Sequence, residues 1–215
     1  MKELLTVENI IRLTQSAFIV RTDRSGLRFR AGQNVTLGVE GDHEKRDYSI
    51  YSGEEDEFLE FLVKEVDQGI VSRKLKGLRP GDRIEMEGPY GFFTLKNGDV
   101  KTRRFLFFAT GTGIAPFHSF VLSNSGLSYT LLHGVRYGYE AYQKEDYRSG
   151  SYIACTSRDR NGDHHGRVTG FIREHPVPPD MLCYLCGNVD MIYDVYEILK
   201  QQGVPSENLQ AEVYF

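Results

Sequence analysis

Near residue 100 the hydrophobic pattern of the chain changes character. Before it, short runs alternate apolar and polar side chains to varying degrees: LLTVENIIRL, AFIVRTD, NVTLGV, DYSIYS, FLEFLVKEV and RIEMEG. Turn clusters such as TDRSG, EGDHEK and RPGD separate them. Alternation of this kind belongs to strands with one face in a core, and many short strands of this sort suit an antiparallel barrel. Beyond the change, RFLFFAT is apolar throughout, as expected of a strand buried on both faces. Helical and strand-like segments then alternate: GTGIAPFHSFVLS, YTLLHGV, YEAYQKEDY (read as a helix), YIACTS, VTGFIREH, MLCYLCGN, VDMIYDVYEILKQQG and LQAEVYF. Strands alternating with helices imply a parallel sheet. The expected fold is an antiparallel six-stranded β-barrel over 1–100, followed by a five-stranded parallel α/β domain over 101–215, with the boundary in LKNGDVKTRR. Within the first part, only VSRKLKGL reads as a short helix, stopped by Gly77 and Pro80.

Composition narrows the function classes. A length of 215 residues suits two small domains or one large one, and 40% hydrophobic residues is enough for real cores. The formal charge of −4 argues against a general nucleic-acid binder. No apolar run approaches the ~20 residues that a bilayer demands, so membrane insertion is not expected. The opening MKELLTVENIIRLTQ carries glutamates and no small-residue cleavage site, unlike a secretion signal. There are three cysteines, Cys155, Cys183 and Cys186; an odd number without a signal points to a reducing cytoplasm. The single C-x-x-C lacks the second ligand pair of a zinc site, and adjacent His164 and His165 lack metal-site spacing, so no metal is expected.

Three stretches of the second half carry candidate chemistry. FFATGTGIAPF sets a glycine turn between a buried strand and a helix, where backbone N–H groups and the helix terminus favour an anion. Gly111 and Gly113 allow close approach, Thr112 adds a hydroxyl, and Pro116 suits the first helical turn. A tight turn without any ligand uses the same glycines, and both readings stand. TSRDRNGDHHGR follows the third strand of the parallel sheet. Ser157, Arg158 and Arg167 there make a donor set suited to a phosphate monoester, or an ordinary solvated loop. Cys186-Gly187 ends a further strand at the ligand edge, where a buried structural cysteine is the plainer account. In the first half, KRDYSIYSG puts Arg46, Tyr48 and Ser49 on one strand. That suits a barrel strand with a solvated face, and equally a platform for a flat, phosphorylated cofactor.

In order, RDYS, GIVS, PGDRIEMEGPYGFF, ATGTGIAPF, TSRD, CGNVDMI and a terminal EVYF resemble the ferredoxin–NADP reductase family across essentially the whole chain. The resemblance implies FAD, with Arg46 on its pyrophosphate, Tyr48 against its ring and Ser49 near the ring atom that takes the hydride. Gly69, Val71 and Ser72 correspond to the second phosphate-binding segment. Gly111, Thr112, Gly113 and Pro116 match the pyrophosphate turn for NADP(H), and Arg136 joins the coenzyme-binding set. Ser157 and Arg158 match the pair that holds a 2′-phosphate, which favours NADPH. Arg167 keeps a charge that plant-type members supply with lysine, while Thr169 stands where they have a tyrosine. Cys186 and Glu212 are implied beside the reacting nicotinamide. Tyr214 is implied to cover the second flavin face as a gate, with Phe215 on the FAD adenine as in bacterial relatives. Ser49, Cys186, Glu212 and Tyr214 are thus the expected catalytic set.

The implied reaction exchanges a hydride with NADP(H) and single electrons with ferredoxin or flavodoxin. Lys64, Lys74, Lys76 and Arg79 are candidates for steering an acidic carrier, or plain surface charge. A reductase component feeding an oxygenase or small-molecule acceptors is the alternative. A non-catalytic FAD-binding protein within a larger complex is the third possibility.

Overall fold

The computed structural model describes residues 2–214, in two compact units. One unit runs to Thr94 and also takes in Ala115–Ser123; the other comprises Leu95–Ile114 and the chain from Asn124 onward.

The first unit holds six strands: β1 (Lys2–Arg12), β2 (Ala17–Asp23), β3 (Asn34–Val39), β4 (Arg46–Ser49), β5 (Phe58–Lys64) and β6 (Arg83–Tyr90). They pair antiparallel in the order β4-β3-β6-β1-β2-β5, a nearly closed barrel. Alternate residues fill it: Phe18 and Val20, Val35 and Leu37, Leu59, Phe61 and Val63, Ile84 and Met86. Each such side chain removed from water is worth roughly 1.5–3 kcal/mol. Helix α1 (Ile70–Lys76) packs on this core through Val71 and Leu75, and ends at Gly77.

The second unit is a parallel sheet. Its strands are β7 (Phe105–Thr110), β8 (Tyr129–Val135), β9 (Tyr152–Thr156), β10 (His164–His165), β11 (Leu182–Gly187) and β12 (Leu209–Val213). Their order is β10-β9-β8-β7-β11-β12. The expected five strands gain a sixth, because His164 and His165 pair with Cys155 and Thr156 at the sheet edge. α2 (Asn97–Val100) precedes β7, and α4 (Val168–Glu174) and α5 (Val189–Gln201) pack against one face, on Leu106, Phe108, Leu132, Cys183 and Leu185. The other face of β7 carries Phe105 and Phe107, in ring contact with Tyr129 and Tyr184. The chain runs outward from β7 to β10, then returns to β11 on the opposite side of β7. The crevice at such a reversal of strand order is where open α/β sheets take ligands.

One expectation needs correction. YEAYQKEDY is not an α-helix but two single 3-10 turns, Gly138–Glu140 and Lys144–Asp146. The Glu140 carboxylate turns back onto the Arg136 and Tyr137 N–H groups, and Gln143 at φ +44° breaks any continuation. The helix after the glycine turn, α3 (Ala115–Ser123), groups with the barrel rather than with the sheet whose strands it connects. Phe117 and Phe120 meet Phe93, the His118 ring stacks on Tyr51 at 3.7 Å, and the Ser119 hydroxyl donates to the Ser52 carbonyl.

Candidate functional site

In the barrel, β4 presents the candidate flavin residues. Register pairs Arg46 with Leu37 and Tyr48 with Val35, so the two share one face, as period-two alternation requires. The Arg46 side chain is 66% exposed, donates to the Lys45 carbonyl and lies 3.7 Å from the Glu44 carboxylate. Its guanidinium therefore has donors for a further anion. Tyr48 is half-buried against the barrel core, and burial pushes its phenol up to about 12, Arg46 opposing the shift. Ser49 is buried opposite Asn34.

The chain beyond β4 is fixed from both sides. Ile50 donates to the Gln33 carbonyl and Tyr51 to the Glu60 carbonyl. The Ser52 hydroxyl accepts from the Glu60 N–H, and His118 Nδ1 lies 2.8 Å from the Tyr51 carbonyl. The second segment, at the start of α1, has Gly69 as N-cap, no acidic residue in its first turn, and Val71 and Ser72 buried. Ser72 is used locally, its hydroxyl accepting from the Val66 N–H at 3.3 Å. Lys74 bridges to Asp42 at 2.8 Å, tying α1 to the turn before β4. A guanidinium, a phenol ring and a helix start free of acidic residues fit a flat cofactor with a pyrophosphate.

In the parallel sheet, the glycine turn (Gly111–Ile114) follows β7 directly. A Cβ on Gly113 would lie 2.5 Å from the Cys186 carbonyl oxygen and 2.6 Å from the Gly187 Cα. Only glycine lets the turn sit against the end of β11. Gly111 adopts φ +52°. The Thr110 hydroxyl accepts from the Asn188 N–H at 2.9 Å, closing the β7 and β11 ends together.

Beneath the turn lies a residue that sequence reasoning missed. His133 is fully buried, with Nε2 2.8 Å from the Gly111 carbonyl and Nδ1 2.5 Å from the Tyr152 hydroxyl. A carbonyl only accepts, so Nε2 carries the proton and Nδ1 receives one from Tyr152. Burial lowers the imidazole to about 4, against a smaller opposing effect of the Gly111 bond, and keeps it neutral. The one signal in the sequence is an ionisable residue inside the strand-like run YTLLHGV.

Cys186 pairs in register with Glu212, and the Tyr214 N–H donates to the Gly187 carbonyl. Burial, aided by Glu212, raises the Cys186 thiol well above its ordinary range, so it stays protonated. Cys183 joins the core packed by α4 and α5, and burial pushes its thiol to about 12. Three positions apart on a strand, Cys183 and Cys186 point to opposite faces, so the C-x-x-C is not a chelate. Among the described residues no cluster of three or more His, Cys, Asp or Glu side chains is arranged to hold a metal.

The remaining candidates lie at the carboxyl edge of the same sheet. Ser157 and Arg158 follow β9; their N–H groups donate to the Val135 and Arg136 carbonyls at 3.1 and 2.8 Å. This brings Arg136, Ser157 and Arg158 together, all exposed. Arg167 is exposed as the N-cap of α4, while Thr169 is buried. Phe215 lies outside the described residues. Of the proposed steering cations, Lys74 and Lys76 are bridged to Asp42 and Glu65, which reduces the charge they offer.

Residues 5–95 match the family of oxidoreductase FAD-binding domains. Over 97% of its length the chain is 28% identical to the electron transfer component of toluate 1,2-dioxygenase from Pseudomonas putida, and spans 66% of that protein. The ferredoxin NADP+ reductase of Neisseria gonorrhoeae, solved with FAD and NADP, shares its fold with a TM-score of 0.88 at 20% identity, covering 100% of this chain and 99% of that one. The chain thus carries an oxidoreductase FAD-binding domain and shares the two-unit fold of that reductase. A component of the Na(+)-translocating NADH-quinone reductase of Yersinia pestis is a further relative in sequence, 28% identical over 70% of this chain and 41% of its own. The FAD-binding match ends at Leu95, where the second unit begins.

Proposed function

We propose that this FAD-binding oxidoreductase exchanges a hydride with NADP(H) and passes single electrons to ferredoxin or flavodoxin. The observation that carries the coenzyme half is the turn after β7. Gly113 lies against Cys186-Gly187, and Cys186 is in register with Glu212, so a phosphate-binding turn, a neutral thiol and a carboxylate meet at one strand reversal. When bound, FAD supplies the redox chemistry, taking electrons in a pair and releasing them one at a time.

The chain's own residues bind and orient. Arg46 and the start of α1 hold the flavin pyrophosphate, Tyr48 lies against the ring, and Ser49 hydrogen-bonds near the reacting atom. In the second unit the Gly111–Gly113 turn takes the coenzyme pyrophosphate. Cys186, Glu212 and Tyr214 surround the nicotinamide end, where a protonated thiol presents a small neutral surface. Ser157 and Arg158, with Arg136 and Arg167 near them, take the 2′-phosphate and favour NADPH, although one relative is named for NADH.

A visible spectrum of the purified protein before and after NADPH tests the core of this reading. A flavin band bleached by NADPH supports it; a protein without flavin, or with flavin that NADPH leaves oxidised, overturns it. The similarity to a dioxygenase electron transfer component supports a second reading, in which the acceptor is an oxygenase partner. Stopped-flow reduction of ferredoxin separates the two: a rate far below ferricyanide turnover favours the oxygenase route.

A further inference from the structure

The turn after β7 is held from inside the second unit by two buried side chains in series. Gly111 adopts φ +52°, and a Cβ placed on it would meet nothing within 4 Å. Glycine is there for its backbone conformation, beside open space. The same freedom leaves the Gly111–Thr112 peptide without a side chain to fix which way it faces. His133 supplies that restraint, its Nε2–H donating to the Gly111 carbonyl at 2.8 Å. The carbonyl and N–H of a trans peptide point in opposite directions. A Gly111 carbonyl drawn towards His133 therefore sends the Thr112 N–H away from it.

The restraint works with one tautomer only. A neutral imidazole has a single N–H, and burial keeps His133 neutral by lowering it to about 4. With the proton on Nδ1, a bare Nε2 lone pair would face the carbonyl oxygen, acceptor against acceptor. The hydrogen bond made by one ring nitrogen decides which of the two carries the proton. Here that bond comes from Tyr152, whose hydroxyl lies 2.5 Å from Nδ1. Burial, with Asp163 acting in the same sense, raises the Tyr152 phenol, so the hydroxyl keeps its proton to donate. The rings of Tyr142 and Tyr152 enclose the imidazole, each with its centroid 5.8 Å away.

We infer that His133 and Tyr152 are positioning residues for the coenzyme: the tyrosine hydroxyl selects the imidazole tautomer that aims the Thr112 N–H at the pyrophosphate. The inference rests on the reading of this turn as the coenzyme pyrophosphate site. Both side chains act through the backbone of the turn. Their effect is confined to ligands that carry a pyrophosphate.

The test compares NADP+ with adenosine 2′-monophosphate, which keeps the phosphate monoester and lacks the pyrophosphate. Calorimetric titration of the flavin-loaded protein gives both affinities for the wild type, Tyr152→Phe, His133→Leu and His133→Gln. Losing one hydrogen bond should weaken NADP+ binding about fivefold in Tyr152→Phe and about tenfold in His133→Leu. The amide of His133→Gln can still donate to the Gly111 carbonyl, so it should stay within about twofold of the wild type. Adenosine 2′-monophosphate should bind all four proteins alike. Nitrogen-15 spectra should place the His133 proton on Nε2 in the wild type and on both nitrogens, in exchange, in Tyr152→Phe.

Wild-type NADP+ affinity in Tyr152→Phe overturns the proposal, as does a wild-type proton on Nδ1. An equal loss for both ligands also overturns it and marks a general loosening of the unit. So does a His133→Gln as weak as His133→Leu, which would mean that the ring only fills space. A wild type that binds no NADP+, with its proton on Nε2, is the separate failure of the coenzyme reading, and the positioning role falls with it.

Discussion

The strand end at Arg46–Ser49 and the turn at Gly111–Gly113 both suit a pyrophosphate, yet they are built in opposite ways. The first relies on side chains: an exposed guanidinium and a half-buried phenol on an antiparallel strand. The second relies on backbone, pressed against a neighbouring strand end and supported from below by a buried imidazole. The lesson is about tolerance. A site made of side chains loses ligand when altered and keeps its fold, whereas a site made of close backbone approach risks both.

Gly113→Ala strikes hardest at that distinction. Its methyl group meets backbone atoms that cannot rotate away, so a destabilisation of about 3 kcal/mol is expected, with loss of NADPH-driven bleaching. Denaturant unfolding beside the bleaching assay measures both, and a variant of wild-type stability would erase the contrast.

The buried imidazole gives the second unit a pH signature. His133 titrates near 4 when folded, against an ordinary value of 6.5. Below 6.5 the unfolded chain takes up a proton that the folded one refuses, so stability falls as pH drops from 6.5 towards 4 and rises with pH across that window. The full difference is on the order of 3 kcal/mol. His133→Gln should flatten this part of the stability–pH curve; an identical slope in the variant would remove His133 as its source.

Arg46→Ala comes next. Losing a charge-assisted contact should weaken FAD binding by about 2 kcal/mol, read as flavin release in equilibrium dialysis, while the melting temperature of the FAD-free protein stays put. A large drop in that temperature would mean that Arg46 supports the barrel itself. Smallest of all is Lys74→Ala. Its bridge to Asp42 is largely exposed, so stability should change by about 0.5 kcal/mol or less in thermal melts.

The sequence made much of this architecture legible because both halves follow their periodicities closely. Phe18, Val20, Val35 and Leu37 alternate inward, and within RFLFFAT the run Phe105–Ala109 is buried on both faces. The losses have local causes. The pattern of YEAYQKEDY gives no hint that Glu140 would cap backward and stop the helix. His164 and His165 make too short a strand to leave a pattern. His133 stayed hidden because its partner, the Gly111 carbonyl, is a main-chain atom 22 positions away. Arg46 and Tyr48 announced a shared face through alternation, but the resemblance, rather than any spacing, gave them a flavin.

The helix Ala115–Ser123 has a consequence for how the chain can be made and cut. The barrel's last strand ends at Tyr90, yet the rings that cover Tyr51 and Phe93 arrive only with residues 117–120. A nascent chain leaving the ribosome thus carries an unfinished first unit until another thirty or so residues have followed. A proteolytic or recombinant fragment ending at residue 100 would show those rings to water and aggregate, while a separately supplied remainder of the chain should restore solubility by complementation.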